Sequence, residues 1–219
     1  MSTSDSDDEY SPVTAVDRLA DYHSIEVRRT DISCISSLED PWTFTDGATP
    51  SMMTLNGLRT TDVTKRKSTS IVDAFRCNEH LTDAVWTLLR EDDPSTGIYI
   101  GLGSKHIYHT GDYLKTHTDR DRPPPAELSI PSIPYTHTHT LVVFPTHGYQ
   151  GGKFAIDGLP VDEEQYEYRG ILFTRGMPHS VEPVTGGTRV SFSFPIYIRD
   201  GTNAYIKDYL DKVSLSEED

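Results

Sequence analysis

Thr116-His117-Thr118-Asp119 sets an imidazole and a carboxylate two residues apart, and Met177-Pro178-His179 supplies a second imidazole much farther along the chain. A short His-x-Asp pair with a distant histidine is the ligand set used by a ferrous ion that keeps coordination positions open for substrate and oxygen. On a β-strand, residues two apart point to one face, so His117 and Asp119 can reach one ion while Thr118 points away. Arg189-Val190-Ser191 follows the second histidine. Thr185-Gly186-Gly187 reads as a turn returning the chain antiparallel, so that Arg189, Ser191 and Ser193 share one face and Val190, Phe192 and Phe194 the other. The guanidinium fork suits a carboxylate and Ser191 adds a hydroxyl, so a dicarboxylate lying between the ion and this hairpin would satisfy both. A structural ion pair is the plainer alternative for a lone arginine.

These residues need rigid elements to hold them. Ser70 is expected to cap a helix running to about Arg90, with Leu81, Val85, Leu88 and Leu89 on one face and Asp92-Asp93-Pro94 ending it. From Gly97 onward short apolar runs alternate with turn formers. Strands are expected at 98–102, 105–108, 113–119, 137–144, 152–156, 170–173, 179–184 and 188–198. Many short strands with such punctuation imply an antiparallel sandwich or small barrel. A last helix is expected over 204–213, from Tyr205, Tyr209, Leu210 and Val213. The expected organisation is a disordered acidic tail at 1–12, a supporting segment at 13–96 with the helix near 70–91, a core at 97–200, and a helix with an acidic tail at 201–219.

Composition narrows the chemistry. The 219 residues contain two cysteines, Cys34 and Cys77, and no Cys-x-x-Cys pair, so the site is built of nitrogen and oxygen rather than sulfur. The net charge is -14, of which Asp5, Asp7, Asp8, Glu9, Glu217, Glu218 and Asp219 supply seven. Only Lys65-Arg66-Lys67 and Arg120-Asp121-Arg122 form local basic runs. Nucleic acid is therefore an unexpected partner, because phosphate neutralisation needs a basic stripe. No stretch is apolar enough to cross a bilayer and no leader is visible, so a soluble intracellular protein, cytoplasmic or nuclear, is expected.

The ordered words from Tyr108 to Tyr197 resemble the iron(II) and 2-oxoglutarate dependent dioxygenases, in particular their prolyl-4-hydroxylase-like branch. Tyr108-His109-Thr110-Gly111 looks like that branch's lead into His-x-Asp, Gly151-Gly152-Lys153-Phe154 like its central Gly-Gly turn, and Pro178-His179-Ser180-Val181 with Gly187-Thr188-Arg189 like its closing hairpin. The resemblance implies a mainly β fold with flanking helices, built on a double-stranded β-helix (jelly-roll) core. It makes His117, Asp119 and His179 the iron ligands and catalytic residues. Arg189 would bind the distal carboxylate of 2-oxoglutarate, with Ser191 and Tyr108 assisting. Fe(II), 2-oxoglutarate and O2 are the implied cofactors, with ascorbate supportive. Leu141-Val142-Val143-Phe144 departs from the pattern, offering no polar side chain where some prolyl hydroxylases place one against that carboxylate.

Other histidines and a long loop bear on the substrate. His137 and His139 share a strand face and admit a zinc reading, but the Asp-His continuation of a metallo-hydrolase is missing, and a place for one or both on the substrate side of the pocket fits better. His106, His109 and His147 read as surface or outer-sphere residues. The proline-stiffened stretch from Arg120 to Tyr135 leaves the metal strand and is positioned to cover a pocket mouth, so Arg120, Tyr135 and His139 are the expected substrate contacts. The implied activity is hydroxylation of a prolyl or other protein side chain. A small-molecule oxygenase and a non-catalytic metal-binding module are the alternatives.

Overall fold

The computed structural model describes residues 22–55, 58–89, 97–128, 135–145, 148–161 and 168–199. The expected tails and the expected helix at 204–213 lie outside the described residues. In chain order the strands begin with β1 (Tyr22–Glu26), β2 (Ile32–Cys34), β3 (Thr49–Pro50), β4 (Met53–Leu55), β5 (Leu58–Thr60), β6 (Arg66–Lys67) and β7 (Thr69–Cys77), followed by helix α1 (Glu79–Leu89). The second half adds β8 (Ile98–Ile100), β9 (Gly103–His109), β10 (Tyr113–His117), β11 (Tyr135–Pro145), β12 (Tyr149–Gly151), β13 (Phe154–Ile156), β14 (Leu159–Pro160), β15 (Tyr168–Thr174), β16 (His179–Val181) and β17 (Val184–Arg199).

Two curled antiparallel sheets make a mainly β, jelly-roll-like core. The larger runs β1-β15-β11-β17-β9-β7-β2, with β8 and β12 also on β17 and β3 on β7; the smaller runs β14-β13-β16-β10-β6. Alternation along β17 sorts its side chains between two cores. Phe192, Phe194, Ile196 and Ile198 join Phe75, Leu81 and Val85 beneath α1. On the opposite face Arg189, Ser191 and Ser193 look toward the smaller sheet, beside the second cluster of Tyr108, Val142, Phe144, Phe154 and Val181.

Two expectations are corrected. Residues 70–77 are not helical: Ile71 and Val72 favour a pleated surface, and Asp73 at φ 52 breaks any helical path. The helix starts later, where Asn78 Oδ1 accepts from the Leu81 amide at 3.1 Å, while Leu81 and Val85 are buried as the spacing requires. Gly186-Gly187 does not turn the chain. β17 runs straight through it, and β12 pairs there so closely that a Cβ on Gly187 would lie 2.3 Å from the Gly148 carbonyl oxygen. No reversal separates β16 from β17: at Glu182-Pro183 the chain crosses from one sheet into the other and keeps its direction, antiparallel to β12 and β13 throughout.

The amino-terminal half is part of this architecture rather than an attachment to it. β7 pairs along β9, and the fully buried Lys105 of β9 donates to the carbonyls of Pro41, Trp42 and Phe44 at 2.9, 2.8 and 2.6 Å. Three carbonyl acceptors compensate an interior ammonium and pin residues 41–44 to the sheet.

Candidate metal centre

β10 and β16 lie side by side, with His117 opposite His179 in the register. Asp119 lies beyond the end of β10, so strand alternation does not place it as expected. Its amide donates to the Arg175 carbonyl at 3.1 Å, and its carboxylate accepts from the Thr140 hydroxyl at 2.6 Å. A turn after β15 and a side chain of β11 thus aim this ligand. The result is one group of ligand atoms from His117, Asp119 and His179, all within 4.8 Å of one another, and the described residues contain no other such group of three or more. The two Nε2 atoms stand 3.9 and 3.8 Å from Asp119 Oδ1.

Hydrogen bonding fixes which imidazole nitrogen is presented. His117 Nδ1 lies 3.2 Å from the Lys115 carbonyl and His179 Nδ1 lies 3.0 Å from the Met177 carbonyl. A carbonyl only accepts, so each Nδ1 carries the proton and each Nε2 offers its lone pair to the shared point. Burial and the neighbouring His179 push the His117 pKa down to about 4, with Asp119 opposing, so this ring is neutral at pH 7. Burial raises the Asp119 pKa, but His179, the Thr140 hydroxyl and His117 outweigh it and hold the carboxyl below its ordinary value. Two imidazole nitrogens and one carboxylate, without thiolate, make a donor set that fits a ferrous ion and leaves coordination positions open.

The triad opens into a cleft whose empty space, with the open mouth included, is about 490 Å³. Arg189, Ser191 and Tyr108 line it, all almost fully buried. The Arg189 guanidinium carbon stands 5.5 Å from the ring centres of Tyr108 and Phe144 and 5.9 Å from that of Tyr149. Aromatic faces can hold a buried cation in place, and a guanidinium fork is shaped to receive a carboxylate. Gly152, at φ 64, makes room for this side chain, since a Cβ there would lie 3.1 Å from Arg189 Cδ.

The expected substrate contacts are distributed differently. His139 is buried but does not line the cavity; its Nδ1 lies 2.9 Å from the Thr138 hydroxyl. A bulge in β11 between His137 and His139 shifts the alternation and sends Thr140 and Val142 into the cavity instead. Arg120 is exposed and Tyr135 sits at the strand end opposite Arg199, and neither is a lining residue. From the same loop it is Arg122 that lines the cavity, while residues 129–134 lie outside the described residues.

Sequence reasoning missed Arg66, His106, Thr140 and Arg122 as lining residues. Arg66 lies 40 positions from His106, which it meets at 2.8 Å, and no local spacing signals such a contact. The alternating Thr136-His137-Thr138-His139-Thr140 run carried a hint of Thr140, hidden by the bulge.

No known family profile and no curated protein matches the sequence. Among solved structures, the chain is similar to a collagen prolyl hydroxylase of Paramecium bursaria Chlorella virus 1 in complex with 2-oxoglutarate (TM-score 0.41, 15% identity, 61% of this chain and 80% of that one). It is also similar to a Pseudomonas putida prolyl-4-hydroxylase (TM-score 0.46, 17% identity, 69% and 77%). A third is a Trichoplax adhaerens prolyl hydroxylase in complex with a hypoxia inducible factor peptide fragment (TM-score 0.39, 15% identity, 61% and 64%). Likeness at this level transfers no residue role, and the chemistry below rests on the side chains themselves.

Proposed function

We propose that this chain is an Fe(II)- and 2-oxoglutarate-dependent dioxygenase that hydroxylates an unactivated C–H bond, with a prolyl or other protein side chain as its target. The observation that carries the reading is a His-Asp-His cluster and a fully buried arginine lining one cavity between two sheets. A metal site alone fits many reactions, and a buried arginine alone fits a structural role. Together they fit a metal and a dicarboxylate.

His117, Asp119 and His179 would hold the metal through two Nε2 atoms and one carboxylate oxygen. Arg189 would hold the distal carboxylate of 2-oxoglutarate, with the hydroxyls of Ser191 and Tyr108 as further donors. When bound, iron and co-substrate couple O2 to C–H oxidation, one oxygen atom entering the product and the other entering succinate as CO2 is lost. The protein's part is positioning. Thr140 steadies Asp119, the Lys115 and Met177 carbonyls fix the imidazole tautomers, and Phe154, Val142 and Val181 keep the walls beside the triad apolar. Such walls limit water around the reacting centre.

Purified protein supplied with Fe(II), ascorbate and oxygen should convert 2-oxoglutarate to succinate, followed chromatographically in the presence of a prolyl peptide and without it. His117→Ala and Asp119→Ala should each abolish turnover. If either variant forms succinate at the wild-type rate, the assignment fails.

A further inference from the structure

We propose that Arg66, Arg122 and Ser193 form a second anion subsite in this cavity, which takes a carboxylate of the primary substrate. The inference rests on the co-substrate reading above, because that reading commits both carboxylates of 2-oxoglutarate, one to the metal and one to Arg189.

The cavity wall carries three arginines, Arg66, Arg122 and Arg189, against a single carboxylate, Asp119, in a chain whose net charge is -14. Asp119 is committed to the metal cluster and to Thr140. Among the described residues the ion pair of Arg122 is with Asp73, at 3.9 Å with both side chains about half exposed, a pairing that solvent weakens. For Arg66 no ion pair is found among the described residues. Cations gathered in a confined, partly buried site are costly unless an anion joins them.

The hydrogen bonds show which way this wall is polarised. Arg66 Nε donates to the Ser68 hydroxyl at 3.0 Å, and Nη2 donates to His106 Nδ1 at 2.8 Å and more weakly to the Tyr108 hydroxyl at 3.5 Å. A guanidinium has no acceptor, so His106 Nδ1 must accept, which places the imidazole proton on Nε2. That nitrogen then donates to Ser193 Oγ at 2.9 Å, leaving the Ser193 proton free to be given away. Arg66 Nη1 has no partner among the described residues. The wall therefore presents two free donors, a guanidinium N–H and a hydroxyl, with a second guanidinium beside them. Burial and then Arg66, Arg122, Arg189 and His117 hold the His106 pKa well below its ordinary value, in keeping with a positive field there. Donors without acceptors recognise a carboxylate, which a small acid or an acidic residue of a peptide can supply.

The test is calorimetric titration of protein loaded with Mn(II), a redox-silent stand-in, and saturated with 2-oxoglutarate. The probes are N-acetylproline, a small acid, acetyl-Glu-Pro-amide, a peptide acid, and the neutral acetylprolinamide as reference. At least one acid should bind roughly tenfold or more tightly than the neutral probe, as expected for a charge-assisted contact. Whichever acid binds names the source of the carboxylate. Arg66→Met should erase the preference, and Arg122→Gln and Ser193→Ala, milder changes, should each reduce it. Their 2-oxoglutarate affinity should stay within about threefold of wild type, which also shows that the site has folded. No preference for either acid in wild type, or a preference unchanged in all three variants, overturns the subsite. If Arg66→Met instead loses 2-oxoglutarate affinity and keeps the acid preference, Arg66 belongs to the co-substrate pocket and this proposal is wrong while the function stands. Wild type that binds no 2-oxoglutarate overturns the function and the subsite together.

Discussion

Asp119 shows how much of a metal site can depend on a residue that is not a ligand. It lies past the end of its strand, so its direction comes from the Arg175 carbonyl on its amide and the Thr140 hydroxyl on its carboxylate. Removing that hydroxyl without changing shape frees the carboxylate to rotate and withdraws a bond that keeps it ionised. Thr140→Val is accordingly expected to weaken Fe(II) binding roughly 10- to 100-fold, the usual effect of losing an outer partner of a ligand. An anaerobic metal titration measures it, and an unchanged affinity would assign Thr140 to packing. Residue by residue, the triad and Arg189 were legible in the sequence because each stands in a short word of fixed spacing. Thr140, Arg66 and His106 were not, because what they touch is distant in sequence and set by sheet register.

At the scale of elements, β11 is the strand where the simple period-two argument breaks. Its bulge between His137 and His139 keeps both rings buried, His137 against Tyr197 with ring centres 5.6 Å apart and, among the described residues, no hydrogen-bond partner for either nitrogen. Burial is the main cause that pushes their pKa values down, to about 4 for His137 and about 3 for His139, from an ordinary 6.5. A folded-state pKa below the unfolded one means that the unfolded chain binds more protons over that interval, so stability is lost as pH falls. The contribution of these histidines is present above about pH 6.5 and fades toward pH 3–4. The urea midpoint of metal-free protein should therefore fall between about pH 7 and pH 4.5, and less steeply in His139→Leu. Equal slopes would mean that this ring does not sense the pH.

Elements also explain what the sequence mislaid. Residues 70–77 carry apolar side chains at spacings compatible with either period, and pairing with β9 decides for strand. Gly186-Gly187 carries the composition of a turn, yet its glycines serve the close approach of β12 to a strand that does not bend there. The helical face of α1 survives such errors, since burial periodicity is local even when partners are not.

For the whole molecule, the cavity is the place where two sheets with different duties meet. The smaller sheet carries His117, His179 and Arg66, and the larger carries Arg189, Ser191, Ser193 and Thr140. Neither sheet alone holds both a metal set and an arginine for a dicarboxylate. No described helix is long and apolar enough to cross a membrane. The positive lining stands inside a chain of net charge -14, so the field that selects an anion is local to the cavity.

The most direct test of the central claim is an anaerobic titration of 2-oxoglutarate into protein with Fe(II) and without it, read by calorimetry. One equivalent of co-substrate should bind tightly only when one equivalent of metal is present, and Arg189→Gln should weaken that binding by about 2–5 kcal/mol, since it leaves a buried carboxylate without its partner. Equal binding with and without metal, or an Arg189→Gln protein that binds as wild type does, would contradict the account.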